Sequence, residues 1–192
     1  MLARLTTVVL LLACGASAAE DAPDLSGAWK LNRELSDDVA AKINDAAGSQ
    51  YMSGGPNWAA ETWFPWGTKF SEGQRVGVRE FLLATVPALQ AVEIEQTAQE
   101  VKTIHGEAGV RIFNLTRASA GTSALSGERV TRQARWQGQQ LALESKGKES
   151  RLAEVLTLVP ARSQLTYAIR LEHKLLKMPL EVSLVYDRAE AR

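Results

Sequence analysis

Most of the second half of the chain alternates apolar and polar residues with a period of two, which is the pattern of half-buried β-strands. Eight such runs follow Gln90, and all are rich in Val, Ile, Leu, Thr or Tyr. In order they are AVEIEQ, EVKTIHG, VRIFNLT, ERVTRQARWQ, QLALES, AEVLTLV, QLTYAIRLEH and LEVSLVYDR. A ninth run, LSGAWKLN at residues 25–32, alternates in the same way.

Short turn-forming segments separate most of these runs, for example residues 137–139 and 160–163. Parallel strands need a crossover of about a dozen residues, so connections this short join antiparallel neighbours. A flat meander of this size would expose two long edges, which proteins usually remove by curling or closing the sheet. The pattern therefore predicts a mainly β fold, an antiparallel up-and-down meander of about nine strands forming a barrel or half-barrel.

Two short helices are predicted between the first and second strands. The first covers residues 37–47, with Ser36 as its N-cap and three apolar residues on one face. The second covers residues 72–85 and ends before Pro87. Together with the segment that joins them, they form an insertion at residues 36–86, which we expect to lie at one end of the barrel.

Three of the five tryptophans fall within the stretch NWAAETWFPWGTKF, residues 57–70, which follows neither period and reads as a loop. Full burial of three indole rings is worth about 15 kcal/mol at about 25 cal/mol/Å², so we expect something to cover them. They either plug the barrel end under the helices or form a ligand surface for apolar molecules, sugars or lipid. On the second interpretation the ligand-binding candidates are the aromatic residues of this stretch: Trp58, Trp63, Phe64, Trp66 and Phe70.

The first nineteen residues have the pattern of an export signal, with a positive start, an apolar run over residues 5–13 and a cleavage site at residues 16–18. A single domain at residues 20–192, exported to the periplasm, is therefore expected. The alternative is a lipoprotein, because LLAC followed by Gly15 places the lone Cys14 in a lipoprotein-like box. Neither interpretation allows a disulfide within the chain.

The net charge of the chain bears on the kind of partner it can bind. The chain has 22 basic and 22 acidic residues, a formal net charge of zero. Proteins that bind nucleic acid need a basic surplus to displace counterions, so this balance argues against such a partner.

No arrangement of residues in the sequence favours catalysis, and we expect a protein that is not an enzyme and has no cofactor or metal. His105 and His173 lie far apart, without a further ligand at metal-binding spacing, and are predicted to be exposed. Glu93 and Glu95 share one strand face, which alternation with apolar neighbours makes a solvated face. No GxSxG elbow is present to activate a serine.

Several arginines occupy alternating strand positions. They form either a basic stripe on one wall or pairs with acidic residues of neighbouring strands, and the second is favoured. The arginines are Arg111, Arg132, Arg135 and Arg170, and the acidic candidates are Glu144 and Glu154.

Four segments carry a family resemblance: LSGAWKLN, VEIEQTAQEVKTI, the hairpin ARWQGQQLALES and the ending VYDR. With them, the chain resembles an uncharacterised family of bacterial exported proteins that have a Gly/Trp-rich insertion. The GxW from Gly27 to Trp29 is similar to the first-strand motif of lipocalins and other calycins, which implies that Arg188 packs over Trp29. The helical pair resembles that of the intracellular lipid-binding proteins, although the insertion here is about twice as long.

The sequence thus predicts a non-catalytic, exported envelope protein that binds an apolar or amphipathic small molecule at the barrel end, under the insertion. The alternative is a structural or interaction module whose Trp-rich loop docks on a partner protein, on peptidoglycan or on a membrane surface.

Overall fold

The computed structural model describes residues 22–47, 72–106, 109–122, 127–174, 176 and 178–189. The predicted leader, Cys14 and the Trp-rich stretch lie outside these residues. Between the first two strands, the described part contains two α-helices, α1 (Val39–Ala47) and α2 (Glu72–Thr85), and a short 3-10 helix, Val86–Gln90. Its strands are β1 (Gly27–Leu31), β2 (Ala91–Gln96), β3 (Glu100–Ile104), β4 (Val110–Asn114), β5 (Ser119–Thr122), β6 (Arg129–Gln137), β7 (Gln140–Lys146), β8 (Ser150–Val159), β9 (Gln164–His173) and β10 (Leu180–Arg188).

The strands form one antiparallel sheet in the order β4-β3-β2-β1-β10-β9-β8-β7-β6-β5. Every neighbouring pair except β1 and β10 is consecutive along the chain, which confirms the predicted meander. The pairing of β1 with β10 joins the two halves of the sheet, in the register Trp29 with Arg188. β4 and β5 are left as the two edges, and β4 lies against β6 across that opening. The result is a nearly closed barrel.

The sheet has ten strands in the described residues, one more than the alternation indicated. The extra strand is β5, whose sequence SAGT lacks β-branched and aromatic residues except at its end. Its backbone pairs with β6 from Ser119–Arg132 to Thr122–Arg129. Pairing with a long neighbour, and not the propensity of its own residues, holds this short edge strand in the sheet.

Alternation sends one side chain in two to the barrel interior, and those side chains build the core. Trp29, Phe113, Tyr167 and Tyr186 are its largest fully buried members. Helix α1 contributes Ile43 to the same core, because the helix packs against both α2 and β10. The barrel interior, closed by helices at one end, is therefore the place where a site can form.

Helix α1 begins two residues later than predicted, and its cap differs. Asp38 accepts a hydrogen bond from the Ala41 backbone N–H through Oδ1 at 3.0 Å, the usual geometry of an N-cap. The expected cap, Ser36, instead accepts the Val185 backbone N–H and donates to the Asn32 carbonyl. Ser36 is thus used to fix the start of the insertion against β10.

Candidate functional site

A cavity of about 430 Å³ lies between the barrel wall and the two helices. This is within the usual size range of small-molecule sites, about 300–1,000 Å³. Apolar side chains make most of its surface, and they come from both helices and from the strands β8 to β10. The helices supply Val39, Ile43, Phe81 and Leu82, and the strands supply Leu152, Ile169, Leu171, Leu180 and Val182.

A group of polar side chains interrupts this apolar lining. Arg111 of β4 reaches across the interior and donates to both carboxylate oxygens of Glu154 on β8, at 2.8 Å each. It also donates to the hydroxyl of Tyr167 at 2.9 Å, and that hydroxyl donates to Glu154. The ion pair confirms the predicted partnership of an arginine with Glu154, but it spans the interior instead of linking adjacent strands.

Burial determines the protonation of this group. Burial alone would lower the pKa of Arg111, but the charge of Glu154 outweighs it, and the pKa lies above its ordinary value. Burial, then the charge of Glu154, raises the pKa of Tyr167 well above 10. Arg111 therefore stays charged at neutral pH, and Tyr167 remains a neutral phenol that can donate.

His105 belongs to the same group, which corrects the prediction that it is exposed. Only 7% of its surface is accessible, because it continues the inward phase of Val101 and Thr103. Its Nε2 lies 2.9 Å from Arg111 Nη2. Burial, with the nearby charge of Arg111, lowers the pKa of His105 from 6.5 to about 4. The ring is thus neutral, accepts from Arg111 at Nε2 and carries its proton on Nδ1, which has no hydrogen-bond partner among the described residues.

His173 is also buried, with 8% of its surface accessible, so the same prediction is wrong for it. It pairs with Ser150 in the β8–β9 register and follows Leu171 on the inner face. Burial lowers its pKa as well. Glu93 and Glu95, in contrast, are exposed as predicted, and Glu95 forms an ion pair with Lys102 on the barrel exterior.

Arg132 presents a second cation to the cavity, from the inner face of β6. Its Nη2 donates to the carbonyl of Thr122 at 3.0 Å, and its guanidinium lies against Gly121, where a Cβ would be 2.7 Å away. Its Nε is buried and has no partner in the described part of the chain. Burial, and then the charge of Arg111, lower its pKa below the ordinary value for arginine.

Two of the other predicted charged residues, Glu144 and Arg170, form their ion pairs on the barrel exterior. Glu144 pairs with Arg151 at 2.7 Å on the exterior. Arg170 pairs with Glu172 and Glu181, also on the exterior. No basic stripe forms, because the four predicted arginines divide between the two faces of the sheet.

Arg188 lies over the ring of Trp29, with its guanidinium carbon 4.4 Å from the ring centroid, which is the pair that the lipocalin resemblance implies. The indole N–H donates to the Leu25 carbonyl at 3.0 Å. Gly27 has φ +130°, a backbone conformation that favours glycine, and a Cβ there would also lie 2.9 Å from Arg188 Nη1. None of these residues lines the cavity, and the pair lies at the far end of β10 from Leu180.

The predicted ligand-binding residues Trp58, Trp63, Phe64, Trp66 and Phe70 lie outside the described residues. The polar group of the interior was not predicted from the sequence. A signal for it was present, since Arg111, Arg132 and Glu154 occupy the apolar phase of their strands, alongside Phe113, Val130 and Leu156. A charged residue in that phase must either find a partner inside the barrel or face a ligand.

Within the described residues, no group of three His, Cys, Asp or Glu side chains is placed to hold a metal ion. None of the helices described there is long and apolar enough to cross a lipid bilayer.

No protein-family model and no curated protein matches the chain. Solved structures do match. One described as "REP1-NXSQ fatty acid transporter" superposes with a TM-score of 0.50 at 12% identity, covering 88% of this chain and 98% of that one. Another, described as "Human cRBP IV", gives a TM-score of 0.50 at 15% identity, covering 87% of this chain and 99% of that one. At these identities the likeness is one of fold, and the chain has a calycin-like barrel.

Proposed function

We propose that the protein binds an apolar or amphipathic small molecule, without chemical change, in the cavity between the barrel wall and the two helices. The observation that carries this proposal is the lining itself. A core needs no internal space, yet aliphatic and aromatic side chains from both helices and from β8 to β10 surround about 430 Å³. The fold shared with a structure described as a fatty acid transporter supports the same role.

The composition of the lining favours a chain-like or flat apolar ligand over a polar one. The lining includes Val39 and Ile43 of α1 and Leu180 and Val182 of β10, two elements that pack against each other. Burial of each methylene group against such a surface contributes about 0.8 kcal/mol to binding, which is about fourfold in affinity. The proposal includes export: residues 1–19 act as a leader, and binding takes place in the periplasm or at the envelope.

A chain-length series tests the binding role. The delipidated protein is titrated calorimetrically with saturated fatty acids of increasing length. Affinity should rise by up to about fourfold per methylene until the cavity is filled, and then level off. Absence of binding, or affinity independent of length, would refute the proposal.

A pair of substitutions tests whether the ligand binds in this cavity. Ala88→Trp puts a large side chain into the cavity lining and should weaken binding at least about tenfold, because it occupies the space of several methylenes. Ala168→Trp adds the same side chain to the exposed face of β9 and should leave the affinity unchanged. Equal affinities in the two variants would place the ligand outside this cavity.

A further inference from the structure

Charge is unevenly balanced in the cavity. Its charged lining residues, among those the structure describes, are Arg111, Arg132 and Glu154. Glu154 accepts both of its ionic hydrogen bonds from Arg111, so that pair neutralises itself. Among the described residues, Arg132 forms no ion pair with a carboxylate, and its guanidinium donates one hydrogen bond, to the Thr122 carbonyl. In the described part of the chain, one positive charge of the wall therefore has no ion-pair partner.

A hydroxyl without a partner lies beside that charge. Ser145 of β7 is the direct cross-strand partner of Arg132, and both side chains line the cavity. Directly opposed residues in an antiparallel pair have Cβ atoms about 5 Å apart. The Ser145 hydroxyl is buried without a hydrogen-bond partner among the described residues, as is the Nε of Arg132. Two adjacent donors are thus left unsatisfied on the same patch of wall, at a cost that a bound acceptor would remove.

The strand register orders the wall around this patch. One inward row crosses six strands from β5 to β10 and changes from polar to apolar along its length. Its members, in order, are Ser119, Arg132, Ser145, Leu152, Leu171 and Leu180. The polar half lies next to the β4–β5 opening, and the apolar half continues into the helix-covered part of the cavity. A ligand with one polar end and one apolar end matches this row in a single orientation.

We propose that Arg132 and Ser145 form a head-group site for a monoanionic carboxylate, whose apolar chain runs along the leucines toward β10. The inference rests on the proposed function and adds the ligand's charge class and orientation. The arginine fork matches the two oxygens of a carboxylate, and Ser145 donates a further hydrogen bond. Arg111 is excluded as the head-group ligand, because Glu154 already occupies its fork.

A matched ligand pair tests the site on the unmodified protein. Dodecanoic acid and dodecan-1-ol have the same chain length and differ at the head group. At about pH 8, where the carboxyl is ionised, the acid should bind about tenfold or more tightly than the alcohol, the usual effect of a charge-assisted hydrogen bond. Equal affinity for the two ligands would overturn the head-group site while leaving the binding role intact. Failure of both to bind would overturn the binding role as well.

Substitutions then test which positive charge causes the preference for the acid. Arg132→Gln should remove the preference for the acid, because the acid loses far more affinity than the alcohol. Arg135→Gln removes the same charge from the exterior of the same strand and should keep the preference. Ser145→Ala should reduce acid binding by a smaller factor, about threefold to tenfold. An equal loss for both ligands in Arg132→Gln, or a lost preference in Arg135→Gln, would contradict the assignment.

A second measurement covers the case in which Arg132→Gln does not fold. The carboxyl carbon of ¹³C-labelled dodecanoic acid is followed by NMR as pH is varied, in the unmodified protein and in Arg132→Lys. A nearby cation lowers the pKa of the bound carboxyl, so it should titrate below the free acid in both proteins. Titration at or above the pH of the free acid would overturn the proposal.

Discussion

Replacing Glu154 with glutamine tests whether the ion pair across the barrel interior is as isolated from solvent as the structure indicates. Glutamine has nearly the same shape, and its single side-chain carbonyl can still accept from Arg111. What disappears is the negative charge that compensates a guanidinium held inside the barrel. Only 2% of Glu154 is accessible, so water does not replace the lost charge.

The expected cost follows from that burial. Removing one partner of a buried ion pair typically destabilises a protein by about 3–5 kcal/mol, because the other charge is left without compensation. Typical domains have an unfolding free energy of about 5–15 kcal/mol, so the loss is a large part of the total. With a urea m-value of about 2 kcal/mol/M, the midpoint of unfolding should fall by about 2 M.

An exterior pair between the neighbouring strands β7 and β8 provides the control. Arg151 and Glu144 lie 2.7 Å apart, but their side chains are 53% and 28% exposed. Glu144→Gln should therefore cost at most about 1 kcal/mol, and the urea midpoint should move by about 0.5 M or less. The double replacement Arg111→Met with Glu154→Leu should recover most of the stability lost in Glu154→Gln, since no unpaired charge remains. Equal costs for Glu154→Gln and Glu144→Gln would refute the reasoning.

Two further predictions concern the pH dependence of stability and the Trp-rich stretch of the sequence. The pKa of His105 is lowered from 6.5 to about 4 in the folded state, so the unfolded state binds more protons between these values and stability falls as pH decreases through that window. The loss of unfolding free energy approaches about 3 kcal/mol by pH 4. In urea unfolding at several pH values, the stability of His105→Gln should therefore fall by about 3 kcal/mol less over this range than that of the unmodified protein. The same pH dependence in both proteins would contradict a buried neutral ring. Simultaneous replacement of Trp58, Trp63 and Trp66 with alanine should weaken dodecanoic acid binding at least about tenfold, with an unchanged midpoint of thermal unfolding. Unchanged affinity would assign these rings another role.

The strands were predictable because each carries a one-residue alternation that only a half-buried sheet explains. The antiparallel order followed from connections too short for a crossover, as in the β6–β7 turn around Gly138. β5 was not predictable in this way, because the Ser-Ala-Gly-Thr sequence has little strand propensity and depends on pairing with β6. The local sequence pattern predicts strands of high intrinsic propensity, but it does not predict a strand that forms only by pairing with its neighbour.

The interior polar group shows a second limit of the sequence. Alternation identifies which residues share a face, but it does not say which inward residues from distant strands meet. Arg111 and Glu154 are 43 positions apart and come together only because the sheet curls until β4 faces β8. The prediction that His105 is exposed was wrong for a related reason. His105 follows the last residue of β3, and the sequence does not show whether a residue just beyond a strand still points into the barrel.

If the barrel holds an amphipathic molecule in one orientation, a crystal structure with a bound ω-bromo fatty acid will show where both ends of the ligand lie. The anomalous signal of bromine marks the end of the apolar chain, and the electron density marks the carboxylate. We expect the carboxylate at Arg132 and Ser145 and the bromine among Leu171, Leu180 and the helices. A bromine peak on the barrel exterior, or a carboxylate remote from Arg132, would contradict it.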